Sequence, residues 1–315
     1  MKKYANFFFI IFSPITLFSA FWLRFVISIK SSRFSDIIFM KLGLLPILDQ
    51  YYQPLINPKK HLKKSLRENR NLPGIDLNIA EQLELINQFD YNDELVNYSL
   101  NKINDLQFYY NNNSYMSGDA EYLYNFIRHF KPRKIIEIGS GYSTLITNHA
   151  LVKNLEENPD NLISHICIEP FEQEWLSKLN IDLIREKVED LDLNIFNTLN
   201  ENDILFIDSS HIIRPQGDIL YEYLEILPIL NKGVIVHIHD IFTPKDYLDK
   251  WILEDHLLWN EQYLLEAFLT SNKNFKILAA LNYLSHDYRE QFTSKAPIFK
   301  IQNNREPGAF WMQKC

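Results

Sequence analysis

Residues 134–144 read KIIEIGSGYST. KIIEIG is a near-continuous apolar run of strand length, as expected of a strand covered on both faces. Two glycines in three positions then make a tight turn, and the run STLITNHALVKNL at 143–155 reads as a helix. A glycine-rich turn between a strand and a helix lets backbone amides and a helix N-terminus approach a ligand closely.

Two ligand classes compete for such a turn. A dinucleotide site wants a third small residue where Thr144 stands, and it places no acid before the glycines, whereas Glu137 is there. Glu-x-Gly-x-Gly suits S-adenosylmethionine, whose cationic sulfonium and amino groups tolerate a nearby carboxylate better than a pyrophosphate does. A dinucleotide-dependent oxidoreductase is therefore the second reading. A membrane-attached binding protein with a non-catalytic cofactor site is the third.

Downstream, strands and helices alternate. HICIEP at 165–170 is a second strand, EQEWLSKL at 172–179 a second helix, and DLIREKV at 182–188 a third strand. DILFID at 203–208 is a fourth strand, DILYEYLEILPIL a helix, and GVIVHIHD at 233–240 a fifth strand. Apolar strands separated by helices predict a doubly wound, mostly parallel α/β sheet. FKILAALNYL at 275–284 and GAFWMQK at 308–314 read as two closing strands, and residues 247–269 as a helical stretch. SGDAE at 117–121 reads as a helix start, with Ser117 as cap.

In such a sheet the carboxyl ends of the strands line the ligand crevice. Glu169, ending the second strand, suits the vicinal hydroxyls of a ribose. Glu189 and Asp190, after the third, sit where an adenine amino group is read. Strands four and five end in Asp208-Ser-Ser-His211 and His237-Ile-His239-Asp240. Asp208, His211, His239 and Asp240 should thus converge, and a histidine titrating near neutrality suits a general base. Glu261, Gln262 and Tyr263 are expected to face an acceptor.

EIGSGYST, CIEP, DILFIDSSH and GVIVHIHDIF together resemble the class I S-adenosylmethionine-dependent methyltransferases. More closely they resemble the bacterial subgroup of macrocin-type sugar O-methyltransferases and cephalosporin-hydroxylase-like proteins. The resemblance runs from about residue 49 to the C-terminus and includes DQYYQPL, LPGIDLN and WNEQYLLEAFL. It implies a Rossmann-like seven-stranded sheet whose last two strands form an antiparallel edge. It implies that Glu137, Gly139, Ser140, Gly141 and Ser143 cradle the methionine part of the cofactor and Glu169 its ribose. Several relatives bind a divalent metal through acids ending strands four and five. Those positions here are Asp208, His239 and Asp240, with a histidine where an acid is common. The implied acceptor is a small molecule or glycan.

The N-terminal part is different in kind. Residues 7–23, FFFIIFSPITLFSAFWL, carry no charge. As a helix they reach about 26 Å, a little short of a hydrocarbon core of roughly 30 Å. The run is therefore either a marginal span kinked at Pro14 or an apolar hairpin lying in one leaflet. PKKHLKKSLRENR at 58–70 adds six basic residues, and residues 1–70 hold 12 Lys and Arg against three acids. Each basic side chain near an anionic leaflet contributes about 1 kcal/mol. The expected organisation is a membrane-anchoring segment at 1–30, a basic and then helical extension or lid at 31–112, and a cofactor-binding methyltransferase domain at 113–315, with residues 75–112 and 246–269 closing over the acceptor. The rest of the chain outweighs the basic end, giving a net charge of −8, which argues against a nucleic-acid partner. Two cysteines make no disulfide framework, so a reducing, cytoplasmic setting with the N-terminus on the membrane is expected.

Overall fold

The computed structural model describes residues 9–29, 33–171, 173–302 and 304–315. Residues 1–8, which hold the first two lysines and two phenylalanines of the apolar run, lie outside it, as does Glu172. The chain divides into two compact units between Ser65 and Leu66. Residues 66–112 belong to the larger unit.

In the smaller unit, α1 (Ser13–Ser28) and α2 (Arg33–Leu42) are the main elements. Pro14 lies in the first turn of α1, where its missing N–H costs nothing, and Phe9–Ile11 before it are also helical, with a turn at Phe12 between the two stretches. No residue of α1 is buried, and Phe18, Phe21 and Trp22 are all exposed. Gly43 ends α2 at φ +67°, and Leu44 N–H donates to the Phe39 carbonyl. At 16 residues α1 is short for a span, and among the described residues no helix is long and apolar enough to cross a membrane.

The larger unit is built on a seven-stranded sheet in the order β3-β2-β1-β4-β5-β7-β6. The strands are β1 (Lys134–Ile138), β2 (Ser164–Ile168), β3 (Asp182–Ile184), β4 (Ile204–Ile207), β5 (Ile235–Ile238), β6 (Phe275–Ala280) and β7 (Phe310–Lys314). The resemblance implied that the last two strands form an antiparallel edge. Only β7 runs against the rest, and it inserts between β5 and β6 by antiparallel pairing to both.

Side-chain alternation covers both faces. Ile135, Ile204, Phe206, Ile235 and Trp311 enter one core, joined by Ile86 of α3 (Ile79–Asn87) and by α4 (Asp119–Phe130) and α5 (Tyr142–Glu157). Ile136, Ile138, Leu205, Ile207, Val236 and Met312 enter the other. A strand with Ile on both faces can satisfy both layers, so the continuous apolar runs were the right signature.

Several elements are shorter than their sequence patterns suggest. The second helix is a 3₁₀ turn, Glu174–Lys178, and β3 has three residues. FKILAA is strand, but LNY begins another helix. Ser117 does not cap α4. Its hydroxyl donates to Gln302 instead, and Gly118 precedes the helix with its N–H donating to Glu121.

Candidate active site

The ends of β1 and β4 set the crevice. Asp208 N–H donates to the Ile138 carbonyl at 2.9 Å, and Gly139 N–H to the Ile168 carbonyl at 3.0 Å. Gly139 sits at φ +79°, and a Cβ there would lie 1.8 Å from the Asp208 carbonyl oxygen. Glycine is required for both conformation and space. Beyond the turn, the Thr144 hydroxyl accepts from Gly141 N–H at 3.0 Å and closes the start of α5. That explains a threonine at the place where a dinucleotide loop carries its third glycine.

Two neighbouring cavities open at these strand ends. One of about 280 Å³ is lined by Gly139, Glu169, Phe171, Lys187, Glu189 and Asp208, among others. The other, of about 190 Å³, is lined by Gly139, Ser140, Gly141, Ser143, Glu169 and Asp208, among others. Gly139, Glu169 and Asp208 belong to both, so together they form one elongated crevice with the glycine turn at its waist. The Glu169 carboxylate accepts from Ser140 N–H at 3.2 Å and from Phe171 N–H at 2.9 Å, which fixes it at the junction.

Two expected cofactor residues stand elsewhere. Glu137 is 1% exposed and lines neither cavity; it is held under the turn by Ser143 and His165. Asp190 is exposed and is not a lining residue, whereas its neighbour Glu189 is.

Asp208, His211, His239 and Asp240 do converge, as a ring of alternating acids and imidazoles. His211 Nε2 lies 3.3 Å from Asp208 and 3.5 Å from Asp240, and His239 Nδ1 lies 3.4 Å and 3.6 Å from the same two carboxylates. Three further groups close the ring, and they come from outside the strand-end motifs. Glu261 Oε2 is 2.8 Å from His211 Nδ1, Asp119 Oδ2 is 3.7 Å from His239 Nε2, and Trp259 packs on His211 at 4.5 Å. Asp119 had the look of an ordinary first-turn acid. Of the residues expected to face an acceptor, Glu261 and Gln262 are fully buried, Gln262 being bound to Phe242 N–H and the Lys245 carbonyl. Tyr263 is at the surface, donating to Asp246.

The acids decide the protonation states. Burial opposes charge on His211, but Asp208, Glu261 and Asp240 outweigh it and raise its pKa well above the ordinary histidine range. His239 is raised in the same way, burial being overcome by Asp240 and Asp208. Burial likewise opposes ionisation of Asp208, yet His239 and His211 hold its carboxyl below the usual range. Asp240 is pushed up, chiefly by burial. Both histidines are therefore biased toward the imidazolium form by the acids around them. By contrast His237, stacked on Phe206 at 4.1 Å, is driven neutral by burial.

The donor set also bears on a metal. Asp208, His211 and Asp240 bring one ligand atom each within 4.8 Å of one another, so His211 takes the place foreseen for His239. Two carboxylates and an imidazole fit a divalent ion once the imidazole proton is displaced.

Comparison with known proteins places this geometry in context. Residues 136–241, which run from β1 past the end of β5, match a family described as a methyltransferase domain. An uncharacterized protein of Archaeoglobus fulgidus is 32% identical over 166 residues, covering 49% of this chain and 73% of that protein. The O-methyltransferase from Bacillus cereus in complex with SAH aligns at a TM-score of 0.38 and 12% identity, covering 75% of this chain and 91% of that one.

Proposed function

The chain belongs to the class I S-adenosylmethionine-dependent methyltransferases, and from that membership we propose that it methylates a hydroxyl of a sugar or lipid-linked glycan at a membrane surface. The observation that carries the chemistry is the acidic ring beside the crevice: four carboxylates, Asp119, Asp208, Asp240 and Glu261, surround two imidazoles. Even with both rings protonated the cluster is net negative, which favours a sulfonium over a phosphate.

The cofactor supplies an activated methyl on a good leaving group. The chain's task is alignment and proton removal, worth roughly 7–11 kcal/mol and about 10²–10⁴-fold respectively. Gly139, Gly141 and Ser143, which line the smaller cavity, would hold the methionine half, and Glu169, at the junction of the two, the ribose. Asp208, a member of both cavities, faces the reacting centre. With His211 and His239 favoured in their protonated form, a carboxylate of the ring is the proton acceptor, and Asp240, which both imidazoles hold at 3.5 and 3.6 Å and whose pKa burial raises, is best suited. The imidazolium groups hold the two acids apart and orient them. A divalent ion on Asp208, His211 and Asp240 would do similar work by polarising the acceptor hydroxyl.

Membrane association rests on the exposed apolar face of α1 together with Lys59, Lys60, Lys63 and Lys64. A helix lying in the interface needs less length than a span. Calorimetry with S-adenosylmethionine tests the reading first: micromolar binding is expected, and none at millimolar ligand overturns it. Tritium transfer from the labelled methyl into glycolipid rather than into protein or nucleic acid tests the acceptor class.

A further inference from the structure

Beneath the glycine turn the Glu137 carboxylate is shared between two elements. Ser143 Oγ donates to Oε1 at 2.6 Å, and His165 Nε2 lies 2.9 Å from Oε2. All three side chains are buried, and Ser143 alone of them lines the crevice. His165 belongs to β2, where it pairs in register with Ile135, two residues before Glu137. Its imidazole therefore reaches diagonally forward along the neighbouring strand. Cys167, in register with Glu137 itself, adds its sulfur at 3.6 Å from the same Oε2.

An oxygen, a nitrogen and a sulfur this close also resemble a metal donor set. The hydrogen-bonded reading is better. Both carboxylate oxygens already have donors, and burial raises the Cys167 thiol so that it stays protonated, whereas a metal needs the thiolate. His165 Nδ1 has no hydrogen-bond partner and is buried. A neutral ring with its proton on Nε2 leaves there only an unfilled acceptor, while a second proton would leave a buried, unpaired N–H.

We propose that His165 is a positioning residue for S-adenosylmethionine, acting through Glu137 to fix Ser143 and the first turn of α5 against the methionine half of the ligand. No motif pointed to it, because its effect crosses between strands. Glu169 and the larger cavity lie outside this chain of contacts, so adenosine alone should not sense it. The proposal rests on the cofactor assignment above, and wild-type binding of S-adenosylhomocysteine separates the two.

The experiment is calorimetry on the full chain with S-adenosylhomocysteine and with adenosine, for wild type, His165→Leu and His165→Gln. Leu removes the donor and should weaken S-adenosylhomocysteine about tenfold or more, as expected for a lost hydrogen bond to a charged group. Adenosine should change by less than about twofold over the same pair, on the same reasoning. Gln places an amide N–H near the former Nε2 and should restore most of the loss. Ser143→Ala should cost less in the Leu variant than in wild type, because the two changes act on one chain of contacts. Should the Leu variant fail to fold, His165→Asn makes the same comparison, its amide being too short to reach Glu137. Equal affinity in wild type and variant, or equal loss for both ligands, overturns the proposal. A wild type that binds neither ligand overturns the cofactor assignment with it.

Discussion

Glu261 Oε2 lies 2.8 Å from His211 Nδ1, across 50 residues of sequence, and both groups are buried. The same carboxylate takes the Tyr223 hydroxyl at 3.1 Å on its other oxygen. Glu261 thus stands to His211 as an orienting acid: by holding Nδ1 it turns the Nε2 edge of the ring toward Asp208 and Asp240. The ring of acids and imidazoles is held from behind by a helix, Glu261–Leu269, that belongs to no strand-end motif.

That relationship predicts a large and asymmetric mutational effect. Glu261→Leu leaves the buried His211 charge without its orienting partner and should cost about 3–5 kcal/mol of stability. Glu261→Gln keeps an acceptor and should cost markedly less. Urea unfolding measures both, and equal small costs would show that the contact contributes little.

The raised histidine pKa values predict a pH profile. A group whose folded pKa is raised adds stability that is complete below its unfolded value, near 6.5, and is lost as pH climbs through the folded value. Stability in chelator-treated buffer should therefore decline from about pH 6.5 upward, with no loss on this account below it. Asn at His239 should flatten the decline. A profile rising between neutral and alkaline pH would contradict the protonated ring.

Gly139→Ala should abolish S-adenosylhomocysteine binding. Its Cβ would meet the Asp208 carbonyl at 1.8 Å, so β1 and β4 must part at the waist of the crevice, and the backbone is also in the left-handed region. Strain and displacement together should lower stability by about 1–3 kcal/mol. Calorimetry and thermal melting give the two readouts, and wild-type affinity in the variant would mean that the turn is not the binding element.

Replacing Lys59, Lys60, Lys63 and Lys64 with glutamine should weaken full-length binding to anionic vesicles. At about 1 kcal/mol per charge the loss is up to several hundredfold at low salt. Neutral vesicles should show little difference. Co-sedimentation measures this, and unchanged binding to anionic vesicles would remove the basic run from the account.

Asp208→Asn should preserve cofactor affinity within about threefold and reduce methyl transfer by about 10²-fold or more, since the amide cannot hold the imidazolium groups in place. Single-turnover transfer to a glycolipid acceptor is the measurement. An unaffected rate would move the chemistry away from the strand-four end.

By itself the sequence determined the strand–turn–helix at 134–157 and the apolar strands that follow, because those patterns are local. Residues with Ile on both faces demand two covering layers wherever they sit, and a glycine pair before a helix needs no distant partner to be read. It also marked Asp208, His211, His239 and Asp240, since strand ends fall on one edge of a parallel sheet. Only the tertiary structure decided that β7 enters between β5 and β6, and that Asp119, Glu261 and Trp259 close around the histidines. Alternation tells which face a side chain takes but not which strand lies beside it. For the same reason the histidines' charge was only partly legible: Asp208 and Asp240 stand beside them in the chain, but the cross-strand pairing and Glu261, 50 residues from His211, come together only in the fold.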